Sequence, residues 1–332
     1  TDPMKSRVFV TRVIPEKGLE MLRQHADIEV WQEPLPPPYQ ILIEKTRGRD
    51  GLLCLLTDRI DAGFIAALGP QVKVISQMAV GVDNIDVAAA TARGIPVGNT
   101  PGVLTDTTAD FAWALLMAAA RRVVEGDRFT RSGRWKTWGP IDFLGPDISG
   151  ATLGIIGFGR IGQGMAKRAR GFDMRILYFD RTRKPEAERE YGATFTGLDD
   201  LLRESDFVSL HTDLSPKTYH LMNDVRLGKM KQGGILINTA RGPVVDPAAL
   251  YRALSSRSIA CAALDVTEPE PIDRNDPLLS LDNIIITPHI ASASHQTRTR
   301  MATMAAANLI AGLKGEPLPN CVNPQVYSMI AK

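Results

Sequence analysis

The sequence predicts an α/β protein built from two parallel-sheet domains. Short β-branched runs alternate with helical stretches from Arg7 onward, and a second alternation begins at residue 152 and runs to about 287. The 332 residues match about two domains at roughly 100–200 residues each. Strands joined by crossover helices run parallel and are covered on both faces. Lys and Arg (39) nearly cancel Asp and Glu (37), and aromatics make up 6%, so neither a polyanion footprint nor a base-stacking surface is expected. Hydrophobic content of 44% is that of an ordinary folded chain. The longest apolar run, Phe111 to Ala120, covers about half a bilayer, so no membrane association is expected. Cys54, Cys261 and Cys321 are odd in number and scattered. They predict neither a disulfide framework nor a metal knuckle, and point to a reducing, cytoplasmic compartment. No signal or transit peptide is read at the N-terminus, and Thr1-Asp2-Pro3 ahead of Met4 read as a vector-derived remnant.

In the first half, "RVFVTRV", "DGLLCLL" and "VKVISQM" read as strands, each followed by a helix in "PEKGLEMLRQHA", "DAGFIAALG" and "VDNIDVAAATARG". The Pro-rich "EPLPPPYQ" at 33–40 reads as turn or loop, because consecutive prolines remove ladder donors. After "GIPVGNTPG" one long helix is expected over about 105–131. Its Ala- and Leu-rich body is apolar nearly all round, so it must be buried in the domain or against another subunit. Residues 132–150 carry Trp135 and Trp138 between Gly and Pro, and read either as an irregular arm or as a surface loop. The second alternation closes on the strand "NIIITP", followed by a helix of about 294–315 and the tail "NCVNPQV". No internal repeat or low-complexity linker interrupts the chain.

Residues 152–180, "TLGIIGFGRIGQGMAKRARGFDMRILYFD", carry a dinucleotide fingerprint. An apolar strand runs into Gly157, Gly159 and Gly162, a helix opens at Arg160, and a second strand ends at Asp180. Gly157 permits the tight turn, Gly159 lets backbone amides approach a pyrophosphate, and Gly162 lets helix and strand pack closely. The helix N-terminus offers free N–H groups to the phosphates, and the acid can accept ribose hydroxyl protons. Asp180 favours NAD, whereas Arg181, Arg183 and Lys184 beside it suit the extra phosphate of NADP. NAD is therefore the expected cofactor, with NADP as a second.

Three later segments end strands in reactive residues. "GILINTARGPVVD" ends its strand at Asn238 and carries Arg241, "IACAALDVTEPEPID" reaches Asp265 and then Glu268 and Glu270, and "NIIITPHIASAS" places His289 after Pro288. Ligands of open α/β sheets lie beyond the carboxyl ends of the strands, so these loops can converge on one site. A guanidinium there can clamp a carboxylate, an imidazole can protonate a carbonyl, and a carboxylate can raise and orient that imidazole. No histidine spacing suggests a metal site.

The ordered segments "GFGRIG", "SDFVSLH", "INTARGPVVD", "ALDVTEPEP" and "TPHIASAS" resemble the D-isomer-specific 2-hydroxyacid dehydrogenase family over Arg7 to Pro324. "GRWKTWGP", "RTRKPEAERE" and "NCVNP" are similar to its glyoxylate and hydroxypyruvate reductase branch. The resemblance implies two Rossmann-like or flavodoxin-like domains with a cleft between them. The substrate domain would be discontinuous (4–98 and 290–324) around a cofactor domain of 99–289, with a dimerisation arm at about 105–150. It implies Arg241 as substrate clamp, His289 as acid/base and Glu270, directly before Pro271, as its partner. Val80, Gly81 and Ser292 are implied at the substrate, with Trp138 reaching in from the other subunit of a homodimer. Thr108, Phe158, Gly159, Arg160, Ile161, Asp180, Arg181, Thr182, His211, Thr212, Thr239, Ala240, Asp265, His289 and Ala291 are implied at the cofactor. Asp213 stands where the family has proline. The implied reaction reduces glyoxylate or hydroxypyruvate to glycolate or D-glycerate. A 2-ketogluconate reductase is the alternative enzyme, and a dinucleotide-sensing corepressor-like protein the alternative outside catalysis. Formate dehydrogenase is disfavoured because it carries glutamine in place of Glu270, and phosphoglycerate dehydrogenase because its regulatory extension needs more chain after Pro324.

Overall fold

The computed structural model describes residues 5–330, which fall into two compact units, 5–104 with 293–330 and 105–292. The leading Thr-Asp-Pro lies outside the described residues.

The first unit opens with β1 (Ser6–Val10), α1 (Glu16–His25), β2 (Ala26–Val30), α2 (Tyr39–Thr46), β3 (Gly51–Cys54), α3 (Ala62–Ala67), β4 (Val74–Gln77), α4 (Val87–Ala92) and β5 (Val97–Gly98). These strands form a parallel sheet of order β2-β1-β3-β4-β5. Two helices here start on an aspartate cap: Asp61 accepts from the Phe64 N–H and Asp86 from the Ala89 N–H.

The second unit holds α5 (Thr105–Ala120), α6 (Val123–Arg131), β6 (Thr152–Ile156), α7 (Arg160–Ala169), β7 (Arg175–Phe179), α8 (Pro185–Tyr191), β8 (Ala193–Phe195), α9 (Leu198–Glu204), β9 (Phe207–Leu210), α10 (Asp224–Leu227), β10 (Ile235–Asn238), α11 (Pro247–Ser255), β11 (Cys261–Leu264) and β12 (Ile284–Ile286). Its seven strands are all parallel, in the order β12-β11-β10-β9-β6-β7-β8. Every residue of β9 and β10 is buried, as the apolar runs of a doubly covered sheet require. The chain then returns to the first unit through α12 (His295–Leu313) and α13 (Val326–Ile330).

That return is built into the first unit's core. A Cβ on Gly18 of α1 would lie 2.9 Å from the Ala302 Cβ of α12, so the two helices meet at a distance only glycine allows. The Ser76 hydroxyl donates to the Ala305 carbonyl at 2.7 Å, and buried Asn323 accepts the Val97 N–H at 2.8 Å. Residues more than 220 positions apart thus share one set of buried hydrogen bonds.

Three expectations need correction. The single helix of 105–131 is two helices, because Arg122 takes a left-handed φ of 52° and breaks the ladder between α5 and α6. Only α5 is buried, whereas α6 buries no residue. The stretch 33–40 is irregular only to Pro38, since Tyr39 and Gln40 open α2 with a proline at its cap. The 294–315 helix ends two residues early, at Leu313. No helix among the described residues is long and apolar enough to cross a membrane.

Candidate active site

Adjacency in the second sheet brings the reactive residues together. Because β10, β11 and β12 are neighbours, the loops leaving them emerge side by side. Arg241 follows β10, Glu268 and Glu270 follow β11, and His289 follows β12.

His289 and Glu270 form a direct hydrogen bond, Nδ1 to Oε1, across 19 residues of sequence. A carboxylate can only accept here, so Nδ1 carries a hydrogen and Nε2 is the ring atom left for chemistry. Both side chains are partly buried, at 26% and 33% exposure, which strengthens the pair relative to a fully solvated one. His289 itself has a left-handed φ of 56°, a conformation that costs of order 1–3 kcal/mol in a non-glycine residue and recurs at functional sites.

Buried Asp265 holds that conformation in place. Its carbonyl accepts the His289 N–H at 3.0 Å, and its carboxylate accepts the Ile290 N–H at 2.9 Å, the Ala291 N–H at 2.7 Å and the Thr287 hydroxyl at 2.6 Å. One carboxylate therefore fixes the main chain on both sides of His289.

Arg241 is positioned by its own strand end. Buried Asn238 accepts the Ala240 N–H at 3.0 Å and donates to the Arg241 carbonyl at 2.9 Å, closing the loop, while Arg241 Nη1 donates to the Ala240 carbonyl at 2.8 Å. Ser292 follows Ala291 at the end of the second unit. In the first unit, Val80 and Gly81 lie in the loop after β4, their carbonyls held by Asn99 Nδ2 at 2.9 Å and Gln77 Nε2 at 3.0 Å. Trp138 is 78% exposed. With Phe129, Trp135 and Phe143 it lines a groove of about 300 Å³ on the arm.

The glycine fingerprint has the shape a dinucleotide needs. Gly157 has a φ of 91°, and a Cβ there would lie 2.5 Å from the His211 carbonyl oxygen. A Cβ on Gly162 would lie 2.1 Å from the Gly157 oxygen, whereas one on Gly159 would point into open space. No side chain caps the start of α7 at Gly159, so its leading N–H groups, from Arg160 and Ile161 on, face a site an anion can take. Phe158 is fully buried, and its N–H donates to Asp180 Oδ2 at 2.8 Å. Burial pushes the Asp180 carboxyl up, but the Phe158 N–H and the Lys184 ammonium at 3.3 Å outweigh it and hold its pKa below the ordinary value. Asp180 thus stays ionised at the end of β7, where a ribose would lie.

Arg181 and Thr182 follow it, with Arg181 Nη2 4.0 Å from the Asp213 carboxylate and Thr212 Oγ1 3.4 Å from the same group. Thr108 is buried on α5, next to Ala109, whose Cβ would lie 3.0 Å from one on Gly164 of α7. His211 binds Ser209 Oγ through Nε2 at 2.7 Å, and enclosure of its ring pushes its pKa down to about 3, leaving it neutral at working pH. Thr239 Oγ1 is buried without a protein partner beside Ala240. An orphaned hydroxyl, an uncapped helix start, open space over Gly159 and an ionised acid together fit a nicotinamide dinucleotide. No group of three or more potential metal ligands occurs among the described residues.

Two features escape sequence reasoning. Asn238 and Asp265 read as strand ends but act as organisers of the loops behind them. The pair His220–Glu268, Nε2 to Oε2 at 2.6 Å, joins residues 48 apart that no periodicity links.

Residues 113–291 match the family model described as D-isomer specific 2-hydroxyacid dehydrogenase, NAD binding domain. A protein named glyoxylate reductase from Korarchaeum cryptofilum is 55% identical over 327 residues, covering 98% of each chain. Among solved structures, a protein from Thermus thermophilus superposes with a TM-score of 0.90 at 48% identity, covering 95% of this chain and 99% of its own. An NADPH-dependent glyoxylate/hydroxypyruvate reductase from Sinorhizobium meliloti, in complex with NADP and malonate, gives 0.85 at 31% identity, covering 96% and 97%.

Proposed function

The chain belongs to the D-isomer specific 2-hydroxyacid dehydrogenase family, and we propose that it reduces glyoxylate and hydroxypyruvate to the corresponding 2-hydroxy acids with NADH or NADPH. The hydrogen bond between His289 and Glu270, one sheet strand away from Arg241, carries this reading. When bound, the nicotinamide cofactor supplies the hydride. His289 Nε2 holds the proton destined for the carbonyl oxygen, and Glu270, accepting from Nδ1, fixes the ring orientation that leaves Nε2 for the substrate. The Arg241 guanidinium clamps the substrate carboxylate and draws electron density toward the carbonyl oxygen. Val80 and Gly81 are the main-chain donors proposed for the carboxylate, and Ser292 is a further residue proposed at the substrate.

When bound, the cofactor would meet Phe158 to Ile161 at its pyrophosphate and Asp180, Arg181 and Thr182 at its adenosine ribose. Thr108, His211, Thr212 and Ala291 would flank it, and Thr239, Ala240 and Asp265 would surround the nicotinamide. Asp180 favours NADH, and Arg181, Arg183 and Lys184 leave room for NADPH. The cofactor domain spans 99–289 and the substrate domain 4–98 with 290–324. The exposed apolar arm carrying Trp135 and Trp138 suits a homodimer in which Trp138 serves the other subunit. Three free cysteines suit a cytoplasmic location.

Steady-state assays with glyoxylate, hydroxypyruvate and 2-ketogluconate against NADH and NADPH test this reading. Turnover of glyoxylate and hydroxypyruvate is expected. Preference for 2-ketogluconate would reassign the substrate, and tight dinucleotide binding without turnover would reassign the chain as a sensor.

A further inference from the structure

A second histidine–carboxylate pair stands beside the first. Glu268 and Glu270 leave β11 in one loop, and each meets a histidine: Glu270 meets His289, and Glu268 meets His220 at 2.6 Å. Both members of the second pair are under one-third exposed. His220 has a left-handed φ of 48°, its ring stacks on that of Tyr219 at 3.9 Å and 15°, and the Tyr219 hydroxyl donates to Glu268 Oε1 at 3.3 Å. Two aromatic side chains thus hold both oxygens of one carboxylate.

The main chain around His220 is tied to a different loop. Its N–H donates to the Pro243 carbonyl at 2.7 Å, the Met222 N–H to the Val244 carbonyl at 3.0 Å, and the Asp246 N–H to the Met222 carbonyl at 3.1 Å. Pro243, Val244 and Asp246 belong to the stretch that begins at Arg241. That stretch also abuts the Glu268 loop, since a Cβ on Gly242 would lie 1.9 Å from the Thr267 oxygen. His220 therefore grips the Arg241 loop with its backbone and the Glu270 loop with its imidazole.

We propose that the His220–Glu268 clasp is a positioning device for the reduction, setting Glu270 against His289 and holding the Arg241 turn beside them. This rests on the roles given above to Arg241, Glu270 and His289. The clasp touches neither substrate nor cofactor in this assignment, and it acts through the two residues on either side of Pro269. With it gone, the stretch after Asp265 loses its tether to the His220 segment and Glu270 drifts from the imidazole.

The test pairs steady-state glyoxylate reduction with the downfield proton NMR signal of the His289 Nδ1–H, which reports its hydrogen bond to Glu270. His220→Ala and Glu268→Ala are expected to lower kcat about tenfold and to move that signal upfield or lose it, as the Glu270 contact loosens. Glu268→Gln, which still accepts from His220, should stay near wild type. Glu268→Asp shortens the reach by one methylene and serves as the folded test where an alanine variant does not fold. An Nδ1–H signal and a kcat that both stay in place in these variants, whatever happens to Tm, overturn the proposal. His289→Gln in the same assay separates the two levels: its full activity would sink the functional reading, and its inactivity beside unaffected clasp variants would sink the clasp alone.

Discussion

Asp265 reaches around His289 to the residue two positions beyond it, accepting the Ala291 N–H at 2.7 Å while its own carbonyl takes the His289 N–H at 3.0 Å. The proposed acid/base thus sits in a left-handed backbone conformation held by a buried carboxylate. Asp265→Ala would strip partners from two N–H groups and the Thr287 hydroxyl in a buried setting. It is expected to destabilise the protein by about 2–4 kcal/mol and to depress kcat. Thermal melts with steady-state rates check both, and Asp265→Asn should recover part of the stability, because its amide oxygen still accepts.

Gly159 and Gly162 lie in one fingerprint but answer to different demands. An alanine Cβ at 159 enters open space where phosphate is expected, so Gly159→Ala should leave Tm unchanged and weaken NADH binding about tenfold or more. At 162 the same methyl meets the Gly157 oxygen, so Gly162→Ala should cost about 1–3 kcal/mol of stability. Melting curves and fluorescence titration with NADH separate the two effects.

Asp180 is proposed to set the cofactor preference through charge. Asp180→Asn retains an acceptor for the Phe158 N–H and removes the negative charge from a position flanked by Arg181 and Lys184. The ratio of kcat/KM for NADPH over NADH is expected to rise about tenfold. An unchanged ratio would place the ribose elsewhere.

His211 makes the cofactor-free protein acid-sensitive. Its folded pKa of about 3 lies below the unfolded value near 6.5, so the unfolded state binds the extra proton as pH falls. Nothing is lost above about pH 6.5, and stability then declines by about 1 kcal/mol per pH unit toward the folded pKa. His211→Gln should flatten the dependence of Tm on pH between about 6.5 and 5, where few carboxylates titrate. A slope equal to wild type would contradict the assignment.

Much of this site is legible in sequence because its demands are local. The strand, glycine turn and helix of 152–169 announce themselves through burial and sterics, and Arg241, Glu270 and His289 each follow a recognisable strand end. What the residues conceal is lateral. β2 is an edge strand whose "DIEV" is only partly buried, so it lacks the apolar run that marks β9 and β10. The break after α5 turns on one left-handed arginine in a stretch with no proline and no glycine at the break itself. The links from Asp265 to Ala291 and from His220 to Glu268 arise only when strands of one sheet, adjacent in the first case and separated by β10 in the second, send their exit loops to the same edge, a relationship that no spacing along the chain encodes.

The decisive comparison is glyoxylate reduction by the wild-type protein and by His289→Gln, each with NADH and NADPH, at equal cofactor saturation. A His289 that protonates the carbonyl predicts wild-type turnover and a loss in kcat of roughly 10²–10⁴-fold in the variant, with KM little changed. Unchanged kcat in His289→Gln, or a wild-type protein that binds the dinucleotide and turns over no 2-oxo acid, would contradict it.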